Sequence, residues 1–338
     1  MRQNGYRSQM FKNDSGPEFF FAQEQKRKNY LSLLKTRDQI RNWLKAKGYL
    51  EVLVPTLYAE TVPDLNLESF RVDFQSVFDP NFKRQLYLQT SPELLMKQML
   101  VSGFERIFYL GPVFRQGELS ETHHPEFTMA EWYHVNWNYM DLMDELSEML
   151  RQLFGIRKIR RLTMRDALLD SAGIDFLQLR TQKDLALAIQ RKNSSLRVKG
   201  LDWNELFELA LVEWLSPWLK AQGVILIYDW PSEFAMQGKI KDKEHLVCER
   251  FELYINGLEI ANGYSEETDS EEMKKRFKTE IKKRKNLKRE QVSLPEKFLA
   301  SLKLGLPNCA GVSLGLERLC MALLGIDNLD QLLPFRTL

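Results

Sequence analysis

Cysteine is scarce in this chain. Only Cys248, Cys309 and Cys320 occur in 338 residues, and no two of them form a CxxC pair. An odd count argues against a disulfide framework and predicts a reducing, cytoplasmic setting. Histidine is nearly as rare: His123, His124, His134 and His245 stand at no metal-ligand spacing with the cysteines, which excludes a zinc module. No apolar run approaches the length of a membrane span. The N-terminal stretch MRQNGYRSQMFKNDSGPEFFF lacks the apolar segment of a secretory leader. An excess of one charge is missing too, because 48 Lys+Arg against 46 Asp+Glu leave a formal net charge of +2. The chain as a whole is no polycation, so any nucleic-acid contact would need a local patch. Neither an internal repeat nor a low-complexity tract is visible.

What is present describes a globular protein: 44% hydrophobic and 28% charged residues, long enough to bury a large core. Residues 1–24 resemble a loosely ordered extension. From Glu24 to Lys47, Leu33, Ile40, Trp43 and Leu44 make one helical stripe, stopped by Gly48. Tyr49–Val54 follows as a strand ended by Pro55. Gln85–Gln89 is a short strand running into Thr90-Ser91-Pro92-Glu93, where Ser91 is a good N-cap and Pro92 a good first helical residue. That helix is expected to reach about Leu100, with Gly103 beyond its end. Amphipathic segments at Met140–Phe154 and Thr163–Leu169 and a helical region Asp202–Leu219 belong to an expected helical insertion at about 140–222, closed by a strand at Val224–Tyr228. Trp203, Trp214 and Trp218 recur at helical spacing and predict core packing. Lys274–Arg289 is mostly Lys and Arg, either a solvated helix face or a docking surface for an acidic partner.

Three stretches carry chemistry. The first is GPVFRQGELSETHHPEFTMAEWY, Gly111–Tyr133. Strand-like runs at Arg106–Phe114 and Glu126–Trp132 flank a polar loop, the pattern of an antiparallel hairpin whose loop can cover a ligand. The loop opens with Arg115, whose guanidinium fork suits a phosphate; an ordinary solvated loop is the alternative.

The second is a hairpin, Arg250–Ile255 and Leu258–Gly263, around Asn256-Gly257. A two-residue turn pairs Ile255 with Leu258, Tyr254 with Glu259 and Glu252 with Ala261. Glu252 and Glu259 then share one face about 7–8 Å apart, close enough to hold a hard divalent cation together, unless Arg250 on the same face simply neutralises them. Strict alternation turns Asn262 to the opposite face, so a role beside the glutamates requires a bulge or a strand end at Ala261–Gly263.

The third is GVSLGLERLCMALLG, Gly311–Gly325, a short strand meeting Gly315 and then a helix with Arg318 in its first turn. Glycine allows close approach of a ligand, and arginine at a helix start can reach an anion.

Together these stretches resemble class II aminoacyl-tRNA synthetases. GPVFR…HHPEFTMAEWY resembles motif 2, GVSLGLER motif 3, and GYLEVLVPTL motif 1, the dimer element. RFELYINGLEIANGYSE and TSPELLMKQMLVSGFERIFYLGPVFR are similar to the lysine-specific subclass. The catalytic pattern starts almost at once, without a preceding anticodon-binding β-barrel. In this it is similar to the short paralogues that attach lysine or β-lysine to a lysine of elongation factor P.

The resemblance implies an α+β catalytic domain over residues 25–338, with an antiparallel sheet flanked by helices. It implies a homodimer using ATP and Mg²⁺, with stable tRNA binding not expected. By position, Arg115 and Arg318 are the catalytic phosphate-binding residues. ATP contacts are implied at Arg115, Gln116, Gly117, Glu118, His124, Glu259, Ile260, Gly315 and Arg318, and Mg²⁺ ligands at Glu252 and Glu259. Ser91, Pro92, Glu93, Glu131, Tyr133, Asn262, Glu266 and Ser313 are implied to bind the amino-acid substrate. The sequence departs from the family at three places. The usual Arg-x-Glu becomes Arg115-Gln116-Gly117-Glu118, His124 replaces an asparagine, and Ser313 stands where lysyl-tRNA synthetases have glycine, which narrows the pocket. A truncated ligase acting on tRNA or another small acceptor, and a non-catalytic regulatory paralogue, are the rival readings.

Overall fold

The computed structural model describes residues 24–241 and 246–335. All but the last residue of the expected N-terminal extension lies outside them, as does His245. Helix α1 (Glu24–Ala46) opens the fold, buries Leu33, Ile40, Trp43 and Leu44, and stops before Gly48, whose φ of +84° suits only glycine well. The strand expected over Tyr49–Val54 shrinks to β1 (Leu50–Glu51) at a sheet edge. One further bond, Val52 N–H to the Phe108 carbonyl at 2.8 Å, ends the pairing, and Leu53 turns into solvent. Strands β2 (Leu57–Tyr58), β3 (Arg71–Gln75) and β4 (Lys83–Leu88) make a small antiparallel sheet in the order β2-β4-β3. Helix α2 (Glu93–Val101) starts where expected: Pro92 sits one residue earlier than its predicted place, and the Ser91 hydroxyl accepts the Glu93 N–H at 3.0 Å.

Strands β5 (Arg106–Phe114) and β6 (Glu126–Val135) form the expected antiparallel hairpin, in unbroken register from Arg106↔His134 to Phe114↔Glu126. Helix α3 (Tyr139–Phe154), capped by Asn138, leads through β7 (Arg160–Thr163) to helices α4 (Met164–Ala172), α5 (Gln182–Lys192) and α6 (Trp203–Ala210). A π turn at Leu211–Leu215 links α6 to α7 (Ser216–Leu219). Then come β8 (Val224–Pro231), β9 (Val247–Ile255), β10 (Leu258–Ser265), α8 (Ser270–Asn286), α9 (Glu296–Leu302), β11 (Cys309–Gly315) and α10 (Leu316–Leu324).

The large sheet runs β1-β5-β6-β11-β10-β9-β8-β7, antiparallel except at its two edge pairs. Helices cover both faces, so the class is α+β. Packing of α1, α3 and α10 makes one apolar cluster, and α2, α8 and α9 contribute to another with Leu94, Met96, Phe277 and Phe298. A sheet covered on both sides explains why Met129–His134 is a continuous buried run and not an alternating one. Helices α4–α7 gather a third cluster against β8, with Trp203, Trp214 and Trp218 packed on it. Helix α3, expected within the insertion, packs instead in the main core.

Candidate active site

The β9–β10 hairpin turns at Asn256-Gly257 (φ +52° and +82°), the geometry an Asn-Gly turn favours. Ile255↔Leu258 and Tyr254↔Glu259 pair as expected, but Ala261 then faces Leu253 and Asn262 faces Glu252. One extra residue, Ile260, is a bulge between Glu259 and Ala261, so the expected Glu252–Ala261 pairing is wrong by one step. The bulge lies just ahead of the stretch where the sequence required one. Its effect is to return Asn262 to the face of Glu252, Tyr254 and Glu259.

On that face Arg250 is buried and bonded to Glu252, and its Nε donates to Asn262 Oδ1 at 3.2 Å. Asn262 in turn donates to the Tyr264 hydroxyl at 2.8 Å, and Tyr254 donates to Glu252. Burial pushes Glu252 up to about 7, against the pull of Arg250. Glu252 therefore lies behind the site wall, partnered by Arg250 and Tyr254. Glu259 stands in the open, its side chain 43% exposed and 3.7 Å from Arg318. Among the described residues no three His, Cys, Asp or Glu side chains converge as a ready metal cage. A hard dication held by one or two carboxylates together with phosphate oxygens needs no such cage, and Glu259 fits that use.

Two clefts open on the sheet face. The first has Arg115 and Arg318 among its lining residues, together with Glu118, His123, His124, Phe127, Glu259, Ile260, Gly315 and Glu317. Arg115 lies 5.1 Å from the Phe127 ring centre, donates to the Thr90 carbonyl at 3.4 Å, and has Glu118 at 3.5 Å. The shifted glutamate thus faces the cleft. Gly117, with φ +85°, absorbs the extra residue without strain. Arg318 is tied to the hairpin loop through His123 and the Thr122 carbonyl, and to β10 through the Glu259 carbonyl at 3.3 Å. Burial and the neighbouring Arg318 hold His123 below its ordinary value, favouring the neutral ring. Glu317 accepts the Thr128 N–H at 3.0 Å just past the last β6–β11 pair, Met129↔Gly315. Its carboxylate extends the ladder where β11 has ended.

The second cleft shares Arg115, Met129, Asn262 and Ser313 with the first and is lined further by Ser91, Glu93, Glu131, Tyr133, Gln237 and Glu266. Glu131 accepts from Ser91 (2.8 Å) and Tyr133 (2.7 Å), with no cation paired to it among the described residues. Burial and the charge of Glu93 push it up to about 8. Lys97, fully buried, lies 2.5 Å from both Glu93 and Glu266. Burial alone would discharge the ammonium; Glu266 and Glu93 outweigh it and hold it charged. Gln237 donates to the second oxygen of Glu93 at 2.5 Å. The floor is Gly311, where a Cβ would come within 2.2 Å of the Tyr133 ring and 2.6 Å of Glu266. The Ser313 hydroxyl donates to the Asn262 carbonyl at 3.3 Å.

Most residues singled out in the sequence converge on these clefts. Four do not: Gln116 and Gly117 are exposed, Pro92 is buried at the start of α2, and Glu252 is buried against Arg250 and Tyr254. Sequence reasoning missed Lys97, Gln237 and Tyr264, whereas Arg250 was expected as a possible neutralising partner of the glutamates and is bonded to Glu252. Lys97 carried a signal, since it lies four residues after Glu93 on a helix; Gln237 lies in an irregular stretch and carried none.

A family model described as tRNA synthetases class II (D, K and N) matches residues 21–337. Among curated relatives, an elongation factor P–(R)-β-lysine ligase of Photorhabdus laumondii is 35% identical over 297 residues, covering 88% of this chain and 91% of the relative. Ligases of the same name from Haemophilus influenzae (32% over 308 residues) and Proteus mirabilis (33% over 309) each cover 91% of this chain and 94% of their own.

Proposed function

The chain belongs to the class II tRNA synthetases (D, K and N), and from that premise we propose that it is an ATP-dependent ligase that activates lysine or β-lysine and transfers it to a lysine side chain of elongation factor P. The observation that carries this reading is the pair of joined clefts. One is faced by Arg115 and Arg318 beside Glu118, Glu259 and Glu317, and the other by the four carboxylates Asp64, Glu93, Glu131 and Glu266, with Arg115, Asn262 and Ser313 at the boundary. The relatives are named for the same donor and acceptor.

In this reading the substrate carboxylate attacks the α-phosphorus of ATP, forming an acyl–phosphate bond and expelling pyrophosphate. The acceptor amine then attacks the acyl carbon, AMP leaves with the bonding pair, and the amine loses a proton. A carboxylate is already nucleophilic, so the protein's task is positioning and charge neutralisation. Arg115 faces the α-phosphate and Arg318 the γ-phosphate. Glu131 and Tyr133 receive the side-chain ammonium with Glu266, Glu93 receives the amino group near the reacting carbon, and Asn262 holds the carboxylate. Buried carboxylates suit this task, because a desolvated ammonium must be paired. Mg²⁺ held at Glu259, with Glu252 behind it, would neutralise phosphate charge. The Ser313 hydroxymethyl group and Gly311 floor support a shape-restricted pocket and favour β-lysine. Exposed Leu31, Leu50 and Leu53 on α1 and around β1 support pairing of two copies there.

ATP–pyrophosphate exchange with α-lysine, both β-lysine enantiomers and ornithine tests the reading. Exchange with a lysine is expected, strongest with a β-lysine; no exchange with any of them from folded protein removes the reading. Arg115→Ala should lower exchange by roughly 10²–10³-fold while leaving the melting temperature near its starting value.

A further inference from the structure

Helix α8 has two unlike sides. Its inner side packs Met273 and Phe277 into the core and carries two arginines that grip loops at the amino-acid cleft. Arg276 donates to the carbonyls of Met236 (3.2 Å) and Gly238 (2.7 Å) and pairs with Glu267 at 2.9 Å. Arg284, buried, donates to the carbonyls of Asp64 (2.6 Å) and Leu67 (3.0 Å) and pairs with Glu68 at 2.6 Å. Asp64, Leu67, Met236 and Gln237 all line the cleft. The helix is therefore a buttress joining two stretches of the cleft rim.

The outer side is a row of lysines. Lys274, Lys278 and Lys282 recur every four residues and flank a shallow groove with Lys275, Thr279 and Glu271, whose carboxylate pairs with Lys303 at 3.3 Å. Among the described residues only Lys275 of this row has an ion-pair partner, Glu272 at 3.7 Å. Like charges four residues apart on a helix repel and cost stability, although the chain as a whole balances its charges to a net of +2. A row of uncompensated cations with no aromatic among them offers nothing for a base to stack on. It complements an acidic protein surface.

We propose that the Lys274–Lys278–Lys282 row of α8 docks an acidic surface of the acceptor protein and holds it beside the cleft rim. This rests on the ligase reading above. The helix that meets the acceptor would be the same one whose arginines shape the cleft, so docking and the second chemical step share a rigid element.

The test separates the two half-reactions in the intact protein. The triple variant Lys274→Glu/Lys278→Glu/Lys282→Glu should keep ATP–pyrophosphate exchange within about 2-fold of the unsubstituted protein. Transfer of labelled lysine to purified elongation factor P should lose at least about 10-fold in kcat/KM through a raised KM. That gap should close as salt rises from about 50 to about 500 mM. A triple Gln variant, which removes charge without reversing it, should fall between the two. Transfer at the unsubstituted rate overturns the proposal, and so does loss of exchange together with transfer, because the row would then act on the chemistry. Salt-sensitive tRNA binding lost in the variant while transfer is kept would assign the row to nucleic acid instead. Absence of exchange in the unsubstituted protein would instead bring down the ligase reading itself.

Discussion

Lys97 is the residue on which the amino-acid cleft turns. It is among the largest fully buried side chains of the described residues, and the two carboxylates beside it, Glu93 and Glu266, face the cleft. Carboxylates this close together would repel one another, and one internal ammonium offsets part of that repulsion. Removing it leaves two carboxylates without their cation, the Glu266 carboxylate nearly fully buried. Lys97→Met should therefore destabilise the fold by about 3–5 kcal/mol, read as a lowered melting temperature, while Lys97→Arg, which keeps the charge, should recover part of the loss. A Lys97→Met protein that melts where the original does would show that the carboxylates have already been discharged by protonation.

At the scale of elements, the helix-to-loop clamp of α8 invites the same kind of test. Arg284→Met keeps the apolar stem but removes the donors for Asp64 O, Leu67 O and Glu290 O and the partner of Glu68. A loss of about 2–4 kcal/mol is expected from carbonyls left unsatisfied, together with a raised KM for the amino acid in the exchange assay. A raised melting temperature, or an unchanged KM, would show that the loop holds its shape alone. The elements themselves were partly legible in the sequence. The β5–β6 hairpin, the Asn-Gly turn, the α1 stripe and the α10 stop at Gly325 all follow local rules of period and capping. Strand β3 was not legible, because four of its five residues are exposed and no alternation survives. The bulge at Ile260 was legible only as a requirement: Asn262 could not share a face with Glu252 without one, yet nothing in Glu259-Ile260-Ala261 marks which residue is extra. Register between strands is a tertiary choice. Within the site, positions sitting in motifs were found, whereas Gln237 and Tyr264 reach the cleft through packing that no local pattern announces.

The whole molecule carries these buried acids as a dependence of stability on pH. Burial raises Glu131 to about 8 and Glu317 to about 7, and no cation is paired to either among the described residues. In the unfolded chain both titrate near the ordinary value of about 4.3. Between these limits the folded protein binds more protons than the unfolded one, so stability falls as pH rises from about 5 to about 8. Depressed His123 and His134 work in the opposite sense, gaining stability as pH rises through about 6.5, with smaller displacements. Melting curves of ligand-free protein should thus fall from pH 5 to 8, and a bound lysine should restore most at the alkaline end, where Glu131 is charged to receive it. A ligand-free melting temperature that climbs over this range would mean that these carboxylates are ionised throughout. The shared wall of the two clefts has a consequence for the reaction's timing. A molecule occupying both at once is gripped as a chelate, each half raising the effective concentration of the other. In the ligase reading, the acyl-adenylate would be the species lying across the wall at Arg115, Met129, Asn262 and Ser313. Such an arrangement would retain a water-labile anhydride longer than either of its precursors, as a store that waits for its acceptor.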